Sequence, residues 1–218
     1  MTYEEIRRDA AVNVYISQAD ASLNALGFTE HSFPHVTRVA QTAGEILETL
    51  GYSPRQVELA KIAGYLHDIG NIVNRIDHSQ SGAVMAFRIL DRMNFPPEEI
   101  AQIVTAIGNH DEGTGVPVNA VAAALIIGDK SDVRRSRVRK QADIAVDIHD
   151  RVNYSVTESK LRVDPLEKTI TLELSVDTQV SSVMEYFEIF MNRMLMCRKA
   201  AKRLELAFRL TVNGQVLL

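Results

Sequence analysis

Cysteine is nearly absent from this sequence. Cys197 is the only one in 218 residues, so no disulfide can form within the chain. No secretory signal peptide is evident either, and together these predict a cytoplasmic protein. A bilayer-spanning run is missing. The most apolar stretch, VMEYFEIFMNRMLMC, is interrupted by Glu185, Glu188, Asn192 and Arg193, so no membrane association is expected. Charge of one sign does not dominate. The formal net charge of -4 confers no general attraction to nucleic acid or to an acidic membrane. The basic run RRSRVRK at 134–140 is short and lacks interleaved aromatics, which argues against a nucleic-acid partner. Internal repeats, low-complexity segments and activated serine or cysteine motifs are also lacking.

What is present divides the chain in two. Residues 1–150 carry helical periodicity, and residues 151–218 carry strands and one long helix. Thr2 and Glu5 form a capping-box start for one helix, or two short ones, ending near Gly27. Ser32 and Pro34 open the next helix, with an apolar stripe of Val36, Val39, Ala40, Ala43, Ile46, Leu47 and Leu50 before Gly51. Ser53, Pro54 and Gln56 start a third, and further helices are predicted at about 77–93, from NFPPEEI to near His110, and at about 118–131. The segments VNYSVTESKLRV and TITLELSV alternate as strands about a turn at Asp164-Pro165. A helix at about 181–204 follows, then a short hairpin about Asn213-Gly214. The predicted fold is mainly α: a helical domain with a small C-terminal α/β appendage of β-hairpin, helix and short hairpin. The appendage has no ligand spacing and reads as a packing module or the seat of a homodimer.

Six polar residues interrupt apolar helix faces. His35 opens the stripe ending in Leu50. His67 and Asp68 follow Ala60, Ala63 and Gly64. His78 precedes Gly82 and Met85, His110 follows Ile103 and Ile107, and Asp129 follows Ala122 and Leu125. Each histidine alone also fits a satisfied core residue. Six buried polar groups together need partners, and a metal is the simplest shared one. Four imidazoles and two carboxylates suit iron, manganese, nickel, cobalt or zinc rather than calcium. Six ligands exceed one open tetrahedral site and suit two metals with a bridging carboxylate.

The ordered set His35, His67-Asp68, His78, His110 and Asp129 resembles the HD-domain superfamily of metal-dependent phosphohydrolases, named for the doublet at 67–68. The likeness covers about residues 30–135. HVTRV (35–39) resembles the family's first-ligand helix, and YLHDIGN (65–71) its signature. NHDEGTGVP (109–117) is similar to a segment of the cyclic-di-GMP-hydrolysing branch, and ALIIGDKSDVRR (124–135) to the terminal segment of the diadenosine-tetraphosphate hydrolase branch. The resemblance implies that His35, His67, Asp68 and Asp129 hold one metal, and that His78 and His110 hold a second, with Asp68 bridging. Two divalent transition metals are implied, with iron or manganese foremost. The chain departs from the cyclic-di-GMP branch at Asn71, where that branch has lysine, at Asn109, where it has histidine, and at Val116, where it has tyrosine. His31, one turn before His35, lies where some trinuclear members place a glutamate; a surface or cap histidine is the alternative reading.

The implied activity is hydrolysis of a phosphate ester or anhydride, in a phosphorylated small molecule or nucleotide, by a metal-activated hydroxide. Asp68 bridges the metals, and Lys130, Arg134 and Arg135 are candidates to neutralise substrate phosphates. Asp132, Arg75 and Asp111 lie beside the motifs, and His149 reads as structural or interfacial. Two other readings share the ligand set: a di-iron oxygenase, which some superfamily members are, and a non-catalytic nucleotide-binding sensor.

Overall fold

Capping side chains set most of the helix starts. The computed structural model describes residues 2–139 and 148–218; Lys140, the end of the basic run, lies outside them. Thr2 and Glu5 cap each other's backbone and open α1 (Tyr3–Arg8). Asp9 accepts from Val12 N at 2.9 Å and opens α2 (Ala10–Ala25). Pro34 stands in the first turn of α3 (Phe33–Thr49), where its missing N–H costs nothing. Ser53 caps α4 (Pro54–Leu66). A 3-10 turn (Ile69–Ile72) leads to α5 (His78–Arg92), then α6 (Pro97–Gly108) and α7 (Ala120–Ser131). Asn119 caps α7, accepting from Ala122 N at 2.7 Å.

The helix α7 is apolar on every side, and residues from Val121 to Gly128 are all buried. Such a helix belongs at the centre of a bundle. Here α3, α4, α6 and α9 (Val183–Arg203) all pack on it. Close approach of α3 and α4 depends on Gly64. A Cβ there would lie 2.7 Å from Ala40 Cα and 2.8 Å from Ala40 N. The small residues before the His67-Asp68 doublet therefore make room for a neighbouring backbone.

The C-terminal region departs from expectation at its start. Residues Val152 to Ser155, expected to begin a strand, form the end of α8 (Ile148–Ser155). Val152 is fully buried in the core, and the side-chain Nδ2 of Asn153 donates to His149 O one turn back. β1 (Val156–Asp164) pairs antiparallel with β2 (Thr169–Val176). Asp164 holds the turn, accepting from Leu166 N and Glu167 N. β2 then pairs parallel with β3 (Ala207–Val212), through α9 as the crossover, and β3 pairs with β4 (Gln215–Val216). The two expected hairpins are thus joined in one four-stranded mixed sheet. A single apolar core runs from α1 to β3 and includes both faces of the junction at α7 and α9. Among the described residues, no helix is long and apolar enough to cross a membrane.

Candidate metal centre

Helix ends carry the six polar residues to one place. His35 lies in the first turn of α3, His67 caps the end of α4, and Asp68 begins the turn after it. His78 is the first residue of α5, His110 follows α6, and Asp129 is in the last turn of α7. His35, His67, Asp68, His78 and His110 are at most 5 % exposed. Asp129 keeps 13 % of its side chain accessible.

All four imidazoles are oriented by the same device. His67 Nδ1 is 2.8 Å from Gly64 O, His78 Nδ1 is 3.0 Å from Arg75 O, and His110 Nδ1 is 2.6 Å from Ile107 O. His35 Nδ1 is 2.8 Å from Asp132 Oδ2. Carbonyls and carboxylates only accept, so each Nδ1 must carry the proton. In the neutral ring each Nε2 then presents a lone pair, as a metal-ligating histidine does.

The Nε2 atoms sort themselves around Asp68. On its Oδ2 side, His67 Nε2 lies at 3.1 Å and His35 Nε2 at 3.5 Å. Asp129 Oδ1 closes that group, 3.4 Å from His35 Nε2 and 3.7 Å from His67 Nε2. On the Oδ1 side are His78 Nε2 at 3.5 Å and His110 Nε2 at 3.9 Å. Ligand bonds of roughly 2.0–2.2 Å place adjacent donors about 3–3.5 Å apart, close to these separations. His35, His67 and Asp129 form one trio able to hold an ion, and His67, Asp68 and His110 form another. His78 joins through Asp68 and His110.

The donors fit a cation. His35 Nε2, His67 Nε2 and Asp68 Oδ2 are buried with no hydrogen-bond partner. His78 Nε2 and His110 Nε2 face each other at 3.2 Å. With both Nδ1 atoms protonated, that contact opposes two lone pairs; Arg75 Nη1, 3.4 Å from His78 Nε2, offsets this in part, and a cation between the rings would offset it further. Burial opposes ionisation of Asp68 and Asp129. The imidazoles near Asp68, and Lys130 with His35 near Asp129, outweigh burial and hold both carboxyls well below the usual range. Burial also holds His110 well below the ordinary imidazole value, and His78 below it. His35 goes the other way. Burial and Arg137 oppose its charge, but Asp129, Asp132 and Asp68 raise it to about 10. A proton there competes with a metal for Nε2, because ligation needs the neutral ring.

Neighbouring residues hold this arrangement. Asn71 Nδ2 donates to Asp68 O at 2.9 Å and to Asp68 Oδ1 at 3.0 Å, while Arg75 donates to Asn71 Oδ1. The asparagine that stands where the cyclic-di-GMP branch has lysine therefore positions the Asp68 carboxylate. Asp132 supports His35 and is itself gripped by Arg134 at 2.6 Å and Arg38 at 3.2 Å. Both Asn71 and Asp132 are buried.

A narrow polar cavity of about 20 Å³ opens onto the cluster. Its lining includes the cations Lys130, Arg75, Arg137 and Arg193. Lys130 reaches Asp129 Oδ2 at 2.7 Å and Glu112 Oε1 at 3.1 Å. Burial opposes its charge, but those two carboxylates raise its pKa. Arg134 and Arg135 are not brought to the cavity. Arg134 is taken up by Asp132 and Glu30, and Arg135 by Tyr154 O, Asp177 and the Tyr154 ring. His31 does line the cavity, with Nδ1 2.7 Å from Thr29 O and its ring 5.4 Å from that of His35. His149 is exposed on α8. Larger cavities lie elsewhere, between α3 and β1 and between α5 and α6, and contain none of the six residues. The sequence reading missed Arg137 and Arg193, which have no motif spacing; the only signal was their cationic character.

The HD domain profile matches residues 33–155, more than half of the chain. An uncharacterized protein of Methanocaldococcus jannaschii is 26% identical over 202 residues, covering 82% of this chain and 77% of its own length. The crystal structure of a predicted HD superfamily hydrolase from an uncultured Thermotogales bacterium is similar at 25% identity, with a TM-score of 0.45. That match covers 60% of this chain and 73% of the other.

Proposed function

The chain belongs to the HD domain family, and on that premise we propose that it is a metal-dependent phosphohydrolase cleaving a phosphate ester or anhydride. The observation that supports this best is the common aim of four Nε2 lone pairs at two ionised carboxylates beneath a rim of cations. His35, His67, Asp129 and one oxygen of Asp68 would hold one divalent metal. His78, His110 and the other oxygen of Asp68 would hold a second, with iron or manganese best matched to the mixed donors. When bound, such a pair acidifies water and offsets charge on phosphoryl oxygens.

The protein's own contribution is orientation and charge. The four Nδ1 anchors prevent the rings from turning, and Asn71 fixes the Asp68 carboxylate. Lys130 remains charged and faces the cavity beside Asp129, where it can receive a phosphoryl oxygen. Arg75 and Arg137 line the same cavity and add to the field that draws in an anion. No side-chain nucleophile is required. The substrate is then a phosphorylated metabolite or a nucleotide.

Protein purified without added metal should contain up to two transition-metal ions per chain by elemental analysis. With that metal restored, it should release phosphate or a nucleotide from a panel of esters and anhydrides. Oxygen uptake with no phosphate release would overturn the proposal in favour of an oxygenase. Nucleotide binding that survives in Asp68→Ala, with wild type and variant equally inert, would make the chain a sensor.

A further inference from the structure

The cavity holds more positive charge than one phosphoryl group needs. Its lining has three carboxylates, Asp68, Asp129 and Glu112, against four cations. The surplus is one positive charge before any metal is bound and five with two divalent ions. A phosphate monoester and a hydroxide would leave part of that surplus unmatched.

One of these cations has an unusual origin. Arg193 projects from α9, outside the residues that match the family. Its Nε lies 3.0 Å from Glu112 Oε1, the same oxygen that Lys130 Nζ approaches at 3.1 Å. Lys130 in turn contacts Asp129, so a file of alternating charges runs from the cluster out to α9. The Arg193 guanidinium stacks 4.6 Å from the Phe190 ring centroid, which fixes its plane. Among the described residues Glu112 is its ion-pair partner. The loop after His110 is pressed onto the same helix: a Cβ on Gly115 would lie 2.6 Å from Met196 Cε. Glu112 and α9 are thereby held in register.

The geometry points to Arg193 as the seat of a second anionic group on the substrate, one step outward from the group held over the cluster and Lys130. The substrate class is a phosphoanhydride, in which two phosphoryl groups are joined. This inference rests on the reading that the cavity takes a phosphoryl group. The planar fork of Arg193 can give two parallel hydrogen bonds to one such group, which lysine cannot.

The test uses the full chain, loaded with manganese and freed of excess metal, and titrated calorimetrically with inorganic phosphate and with pyrophosphate. Wild type should bind pyrophosphate at least about tenfold more tightly than phosphate. Arg193→Gln should bring that ratio close to one while phosphate affinity, metal content and melting temperature stay near wild type, and Arg193→Lys should recover part of it. An unchanged ratio in Arg193→Gln, or no preference in wild type, would overturn the inference. Metal content is read separately. A chain that takes up no manganese refutes the proposed function, and the same two titrations still decide the role of Arg193.

Discussion

Replacing Gly64 with alanine tests whether the approach of α3 to α4 sets the metal centre. The added Cβ would meet Ala40 Cα at 2.7 Å, Ala40 N at 2.8 Å and Val39 C at 3.0 Å. Carbon atoms pack comfortably at about 3.5–4.0 Å, so α3 must retreat by roughly 1 Å. All three obstacles are backbone atoms and cannot swing aside, which places the strain near the upper end of the usual overpacking cost, about 3 kcal/mol. Alanine is the better helix former by about 1 kcal/mol. The net loss is then about 2 kcal/mol, or roughly 4–8 °C in melting temperature for a chain of this size. A second consequence is chemical. His35 lies on α3, while His67 follows α4 and is oriented by Gly64 O. Separating the helices should weaken metal binding by about tenfold or more. The control is Gly44→Ala on the same helix pair, where the three atoms nearest the new Cβ all belong to the flexible Lys61 side chain. Melting of metal-free proteins and elemental analysis after metal loading give the two readouts. If Gly64→Ala melts within about 1 °C of Gly44→Ala and takes up metal equally well, the packing argument is wrong.

The shared role of Asp68 separates two other variants: His78→Ala should lose about half of the bound metal, whereas Asp68→Asn should lose nearly all of it, as counted by elemental analysis. Equal losses in the two would deny the bridge. Far from the cluster, Glu185 accepts from Ser182 N in the capping box of α9 and pairs with Arg151 at 2.6 Å. The Ser182 backbone bond, Arg151 and Ser181 lower its pKa to about 2. A depressed carboxylate stabilises the fold above its unfolded value of about 4.3 and loses that effect as pH falls towards about 2. Glu185→Gln should therefore melt slightly lower at pH 7, with the gap narrowing steadily between about pH 4.5 and pH 2. A gap independent of pH would show that ionisation of Glu185 is irrelevant.

How far the site was legible depended on whether a residue's role follows from its place on a helix. The six clustered His and Asp residues were visible because each breaks an apolar stripe, and burial turns such a break into a demand for a partner. The capping residues Thr2, Ser53 and Pro34 were visible because helix starts leave N–H groups that a local side chain must satisfy. Val152–Ser155 misled because four residues with a buried valine suit either period, and the packing of α8 decided between them. Arg134 and Arg135 misled because a basic run beside a ligand looks like a phosphate site, yet Asp132 and Tyr154 stand nearer to them.

Asp132 and Arg193 mark the limit from the other side. Asp132 lies on α7's exit and Arg193 on α9, and each acquires its role from a residue distant in sequence: His35 for the first, Glu112 for the second. No local period encodes such pairs. They exist because α7 is enclosed by α3, α4, α6 and α9 together, so the end of one central helix meets side chains from all of its neighbours. That enclosure makes α9 a wall of the cavity, although its sequence looks like a separate appendage. A truncation at the start of the strands would strip the cavity of Arg193 and expose one face of α7.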